Sequence, residues 1–398
     1  MGVKRFISRR LLGLSGERSR VVSVFGVTGV LLGVFSIITV VSVMYGFQDE
    51  LIKRILGHQP HIYVLDTESP SAMSDWSAVY EKLNGIEDVK NGQVLVSPFV
   101  ENEVILYFNG FTIGSVAFSV SRDMMDKLLV PRLAHRETAL GEQLGYTNQM
   151  VRMDQLEVVS GWEAVSSSLA PKIRKFTTVD FVKTGTYARD LKYAYFELDD
   201  AMNYFTPLKG VPTGIALLCL DPSRMNDVAI KTREVLGGIK GLKIQTWEDR
   251  NQKLFYSLKL ERVAMLVTLF FIILVASFSI TASLVMMVES KKPDFAILSS
   301  MGLSTNELKR IVMYVAMIKG TIGAVIGGIL GTVLCYLIDK YRIITLPSIY
   351  YDTYLPVRFD IGFNALIVVL AIVICVAGVL FPLRLVSKIS IISELRKN

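Results

Sequence analysis

The chain has 398 residues, 51% of them hydrophobic, with a mean hydropathy of +0.44 and a formal net charge of +7. That apolar load excludes an ordinary soluble protein. The basic residues flank long apolar runs, and no basic–aromatic interleaving marks a nucleic-acid partner.

Residues 1–20 read as a short basic amphipathic helix on the cytoplasmic surface, with Phe6, Ile7, Leu11 and Leu12 on its apolar side. Four runs, at 21–45, 263–288, 311–338 and 361–383, are then long enough to cross a hydrocarbon core of about 30 Å, which takes roughly 20 residues. Lys4, Arg5, Arg9 and Arg10 make the first run resemble a signal peptide. Its apolar stretch is too long for one and no small-x-small site closes it, so it is expected to be retained. Basic residues before the first run, between the second and third, and after the fourth place those three segments in the cytoplasm. Both termini then lie inside, and residues 60–245 lie outside with the loop at 341–360.

The first span and its extension are expected over 21–59. Gly29 and Gly33 stand in a small-xxx-small register that lets helices approach closely. Helical spacing continues past the membrane through VMYGFQDELIKRILGHQPHI, with Phe47, Leu51 and Ile55 on one stripe, to a stop near Gly57. In the domain at 60–245, strands are expected at 61–65, 94–100, 104–108 and 214–220, and helices at 74–83 and 224–236. An α+β fold in two lobes fits. Cys219 is its only cysteine, so no internal disulfide can form. The basic stretch SSSLAPKIRK around Pro171 is either an ordinary loop or a docking element.

A second stalk and span follow at 246–288, where Leu254, Phe255 and Leu258 stand among charges. Residues 289–307 are the most explicit segment. Pro293 and Asp294 suit a helix start, Phe295, Leu298 and Met301 recur at three-residue spacing, and Gly302 is a stop. Ser304 with Glu307 reads as a capping box, and Leu303 with Leu308 as a hydrophobic staple. The expectation is a coupling helix with its apolar face outward, against the plainer alternative of an interfacial helix resting on lipid. The third span, at 308–340, carries Gly323, Gly327 and Gly331 every four residues. Lys319 sits well inside it, and either snorkels or has a function. The fourth span, at 361–383, ends in a basic tail at 384–398. The fold class is a membrane protein with four transmembrane α-helices and a large α+β domain inserted between the first and second.

No catalytic constellation is visible. The three histidines, His58, His61 and His135, form no metal-binding spacing, and no HExxH, CxxC, GxSxG or P-loop occurs. No catalytic residue, metal site or bound cofactor is expected of this chain. If energy drives it, a separate subunit supplies that energy.

The four-span order resembles the FtsX/MacB-type permeases of ABC transporters, and several stretches are similar to the lipoprotein-releasing permeases LolC and LolE. They are VVSVMYGFQDELIKRILGHQPHI, TWEDRNQKLFYSLKLER, FAILSSMGLSTNELKRI, FPLRLVSKISIISELR and FVKTGTYARDLKYAYFELDDA. The resemblance implies an inner-membrane permease that extracts lipoproteins and hands them to a periplasmic LolA-like carrier. A LolD-like cytoplasmic ATPase using ATP and magnesium drives it, and a second permease subunit, identical or distinct, completes it. The domain at 60–245 would be periplasmic. Asp294, Phe295, Leu298, Met301, Gly302 and Leu303 would couple to the ATPase. Met44, Phe47, Leu51, Phe255, Leu258 and Met265 would shelter the lipoprotein, or else simply pack. Pro171, Lys172 and Arg174 are candidates for docking the carrier, although the preceding turn departs from LolC and leaves a LolC-like or LolE-like role open. A mechanotransmission permease for signalling, cell-wall enzyme control or efflux is the competing reading. A MacB-type efflux permease carries its ATPase on the same chain, which the short segment before the first span is not expected to hold.

Overall fold

The structure, a computed structural model, describes residues 17–162, 172–345 and 354–379, with backbone alone at 17–23 and 25. Most of the expected N-terminal amphipathic helix, Pro171, part of the 341–360 loop and the basic tail lie outside those residues. The chain divides into two compact units, one comprising Glu50–Ser257 and the other the remaining described helices.

Among the described residues of the helical unit, four helices are long and apolar enough to cross a membrane. They are α1 (Glu17–Gly57), α5 (Gln252–Ser290), α7 (Thr305–Tyr341) and α8 (Ile361–Gly378), with the short α6 (Lys292–Ser300) between α5 and α7. Helix α1 continues to Gly57, where the sequence spacing stops. Gly323, Gly327 and Gly331 of α7 meet α1: a Cβ on Gly327 would collide with the Leu31 carbonyl, and one on Gly323 would meet Val27 and Val30. Gly26, Gly29 and Gly33 of α1 face α5 instead, where Gly29 lies against Ser279 and Gly33 against Ala276. Small residues thus set both helix–helix contacts of α1, by letting backbones close to van der Waals distance. Val30, Val34 and Ile38 join Ile280, Leu284 and Val315 in the core of this unit.

Among the described residues the second unit has nine strands: β1 (Ile62–Asp66), β2 (Val94–Phe108), β3 (Phe111–Ser119), β4 (Glu137–Gly141), β5 (Gln155–Ser160), β6 (Arg174–Val182), β7 (Tyr193–Phe196), β8 (Gly214–Cys219) and β9 (Leu242–Thr246). Strand β2 belongs to both lobes. Its first half, Val94–Phe99, pairs with β8 in an antiparallel sheet ordered β2-β8-β1-β9. Its second half pairs with β3 and β5, and the pairings β3–β7, β7–β4, β4–β6 and β6–β5 return to it. These six strands therefore form a closed ring of ladders, which leaves no open edge to attract another strand. The mixed α+β class holds, but the sequence expectation of a break between 94–100 and 104–108 does not. Glu101 and Asn102 there are polar because each has a fixed partner: Asn102 Nδ2 donates to the Phe205 carbonyl at 3.0 Å, and Glu101 accepts from Tyr193.

Period-two alternation distributes the apolar side chains among three cores. Ile62, Val64, Ile215 and Leu217 cover one face of the four-stranded sheet, under α2 (Trp76–Asn84) and α3 (Met225–Leu236). Tyr63, Phe99, Ala216 and Leu218 cover its other face, together with Phe118, Ala139 and Tyr195 from the ring. Val104, Leu106, Leu156, Val158, Phe176 and Phe196 line the other face of the ring with Phe205.

Candidate coupling and binding sites

The segment between α5 and α7 is fixed by local chemistry at every step. Pro293 lies in the first turn of α6, where a missing N–H is no loss. Lys291 pairs with Asp294 at 2.9 Å. At the far end Gly302 adopts φ +97°, a left-handed conformation costly for any residue with a Cβ. Its N–H bonds the Ser299 carbonyl at 3.0 Å, and the Leu303 N–H bonds the Leu298 carbonyl at 3.2 Å, the two bonds of a Schellman stop. Ser304 and Glu307 then cap α7 reciprocally, at 3.4 and 3.2 Å.

One expectation is corrected here. Phe295 does not face outward: it is fully buried among Leu284, Val288, Leu308 and Ile311. Ala296 is buried beside it, and Leu298 and Leu303 pack partly against the same core. The exposed face is instead Asp294, Ile297, Ser300 and Met301, with Met301 74% exposed. Ile297 was missed because the Phe295–Leu298–Met301 spacing identified an apolar stripe without its direction. Phe295 pins α6 to its neighbours, and the opposite face is exposed.

The six candidate shelter residues divide between the units. Met44, Phe47, Leu258 and Met265 are half-buried in the helical unit. Leu51 and Phe255 pack against the core beneath α2 and α3, and the Phe255 ring meets Trp247 edge-on at 4.8 Å. Packing explains those two. Between α1 and α5, the buried Gln48 amide lies 3.4 Å from Glu261 and 3.5 Å from Arg262, a bridge not anticipated from sequence.

Pro171 lies outside the described residues. Lys172 is exposed and Arg174 opens β6, its guanidinium 4.9 Å from the centre of the Tyr204 ring. With Arg136 and Lys175 they line a basic cavity of about 520 Å³.

A second polar cluster was invisible to sequence reading. Glu101, where β2 passes between the lobes, accepts from the Tyr193 hydroxyl at 2.7 Å and pairs with Arg250 on α4 (Trp247–Arg250). Arg250 lies 4.1 Å from the centre of the Tyr63 ring, and Arg189 lies 4.3 Å from that of Tyr193. Arg189 also donates to Gln59, just beyond α1, at 3.2 Å. Burial pushes the Tyr63 hydroxyl up to about 12. Next to it, His61 is 1% exposed and uses both ring nitrogens. Nδ1 accepts from the Cys219 N–H at 3.2 Å, so Nε2 is the nitrogen that donates to the Leu56 carbonyl at 3.0 Å. The ring is therefore held neutral, and burial lowers its pKa against the smaller opposing effect of the Leu56 bond.

Lys319 is 4% exposed within α7, with no ion-pair or hydrogen-bond partner among the described residues. No group of three metal-ligating side chains occurs among them either.

Comparison with known proteins adds the following. Residues 266–391 match the family described as FtsX-like permease C-terminal. Over 397 residues the chain is 27% identical to the lipoprotein-releasing system transmembrane protein LolC of Neisseria meningitidis, covering 92% of each chain. It is 24% identical to the corresponding LolE of Haemophilus influenzae, covering 78% of this chain and 76% of that one. The periplasmic region of MacB from Actinobacillus actinomycetemcomitans superposes with a TM-score of 0.32 at 11% identity, over 50% of this chain and 94% of that one. In sequence the chain is thus similar over nine-tenths of its length to LolC/LolE-type permeases, and its C-terminal third matches the FtsX-like permease family.

Proposed function

We propose that this chain is the permease subunit of an inner-membrane ABC transporter that extracts lipoproteins and passes them to a periplasmic carrier. The observation that carries the reading is full-length likeness to proteins of a lipoprotein-releasing system. The exposed face of α6 supports it, being a short helix anchored by Phe295 with Asp294, Ile297 and Met301 turned away from the core. In this reading a separate ATPase presses on that face, and α1 and α5 carry the movement to the α+β unit on the periplasmic side. Energy is needed because each acyl CH₂ leaving lipid costs about 0.8 kcal/mol, so a multiply acylated anchor does not leave unaided. Met44, Phe47, Leu258 and Met265 remain the proposed shelter, and Lys172 and Arg174 the proposed carrier contact. No step is assigned to a cofactor on this chain: ATP and magnesium belong to the partner.

The test is gentle-detergent purification of the tagged protein from its native membrane, followed by mass spectrometry. A P-loop ATPase together with triacylated lipoproteins is expected. An ATPase with a cell-wall hydrolase and no lipoprotein would replace this reading with mechanotransmission.

A further inference from the structure

The polar cluster around Tyr193 contains one contact that the chemistry of its two partners leaves half made. Gln59 stands in the turn that leaves α1, just beyond Gly57. Arg189 stands in the segment 183–192 that joins β6 to β7. Arg189 Nη1 donates to Gln59 Oε1 at 3.2 Å. The remaining atoms of the same two planar groups, Arg189 Nη2 and Gln59 Nε2, are both buried and both without a partner among the described residues. Each is a donor, so neither can satisfy the other.

The charge of Arg189 is not met elsewhere. Its guanidinium lies over the rings of Tyr193 and Phe118, 4.3 and 4.9 Å from their centres, and Nε donates to the Tyr195 hydroxyl at 3.3 Å. The two nearby carboxylates are taken. Glu101 is engaged by Arg250 and by the Tyr193 hydroxyl, and Asp190 accepts from the Thr184 N–H at 3.0 Å. An enclosed cation without an anion costs free energy, and so do two idle buried donors. The isosteric change Gln59→Glu would remove both costs, because a carboxylate accepts from both prongs of a guanidinium. An amide at this position therefore holds the contact well below the strength its geometry allows. The segment around Arg189 is firm in itself. The Asp190 and Leu191 N–H groups bond the Thr186 and Tyr187 carbonyls at 3.0 and 2.9 Å. Gly185, at φ +75°, brings its backbone so close to α1 that a Cβ would stand 3.4 Å from Arg54 Cδ.

We propose that the Gln59–Arg189 contact is a latch, built to part and close again, that releases the turn after α1 from the segment 183–192. The incomplete fork keeps it weak enough to open. The rings stacked on Arg189 hold the guanidinium in place for closure. Its use in transport rests on the reading that α1 carries movement to the α+β unit, and it names the contact that this movement parts.

The test is Gln59→Glu in the full-length protein, which completes the fork without adding bulk. The unfolding temperature should rise by about 3–6 °C. Amide exchange at residues 187–191 should slow about tenfold, since the latch now opens less often. Both gains should vanish when Gln59→Glu is made in an Arg189→Gln background. Reconstituted with its ATPase, the more stable variant should transfer lipoprotein about tenfold more slowly than the wild type. A variant no more stable than the wild type would show that the two prongs do not meet, and would overturn the proposal. A stabilised variant that transfers at the wild-type rate would show that the contact stays shut in the cycle, and would overturn it too. If the wild type transfers nothing under ATP, the lipoprotein reading fails and exchange alone decides the latch. Exchange at 187–191 faster than in β7 of the wild type then upholds it, and equal exchange overturns it.

Discussion

Two buried rings carry the predictions at the scale of single residues. Phe295→Ala should cost about 3–5 kcal/mol, the range for a deleted core aromatic, because it empties the centre of the α5–α6–α7 contact. Met301→Ala, exposed beyond the end of α6, should shift stability by no more than about 0.5 kcal/mol yet weaken ATPase docking. Thermal unfolding and co-purification, run on both variants, separate anchoring from docking. His61 makes the α+β unit sensitive to acid. Its folded pKa lies below the unfolded value of 6.5. As pH falls below about 6.5 the unfolded chain therefore takes up a proton that the folded chain refuses, and stability drops until the lower folded pKa is reached. Unfolding of the wild type and of His61→Gln from pH 7.5 to 5.5 should show a pH-dependent loss only in the former. A parallel pH dependence in both would remove His61 from the account. Of these residues, Gly302, Ser304 and Glu307 were legible in sequence because their signals are local: a left-handed stop and a reciprocal cap within four positions. The direction of Phe295 was not, since it is set by Leu284 and Ile311 on two other helices.

Among the elements, the glycine stripes were readable and their partners were not. Gly323 and Gly327 announced a close helix contact, but only the structure assigns it to α1, with Gly29 and Gly33 of α1 turned to α5. Gly327→Val should cost about 1–3 kcal/mol through overpacking against the Leu31 carbonyl, read as a lower unfolding temperature of the detergent-solubilised protein. No loss would mean that α1 and α7 can separate freely. Strand β2 teaches the opposite lesson. Its Glu-Asn-Glu stretch breaks the apolar alternation, so composition suggested two strands. The polar side chains persist because Arg250, Tyr193 and the Phe205 carbonyl engage them. Arg250→Met should leave the mostly buried Glu101 carboxylate short of a partner and destabilise the unit by about 1–3 kcal/mol. Faster amide exchange in β2 and β7 is expected, with β9 spared, whereas uniform exchange would show that Arg250 is not a local clasp.

On the scale of the whole molecule, what the sequence conveyed was partition: four apolar runs and a mixed domain between the first two. Hydropathy and helix period report on neighbouring residues, so they located these parts. The closed ring of strands depends on pairings such as Val116 with Tyr193 and Thr138 with Thr178, joined across long stretches of chain, and no local period encodes them. The same limit applies to function. The sequence offers no catalytic constellation to read, and the proposed role rests on likeness to proteins of a lipoprotein-releasing system and on one exposed helical face. The most direct measurement reconstitutes the chain and its co-purified ATPase in liposomes holding a triacylated lipoprotein, with the periplasmic carrier outside. Transfer to the carrier that requires ATP, and that Met301→Glu abolishes while the protein stays folded, is the result this account predicts. Transfer indifferent to ATP, or none although ATPase, carrier and lipoprotein are all bound, would contradict it.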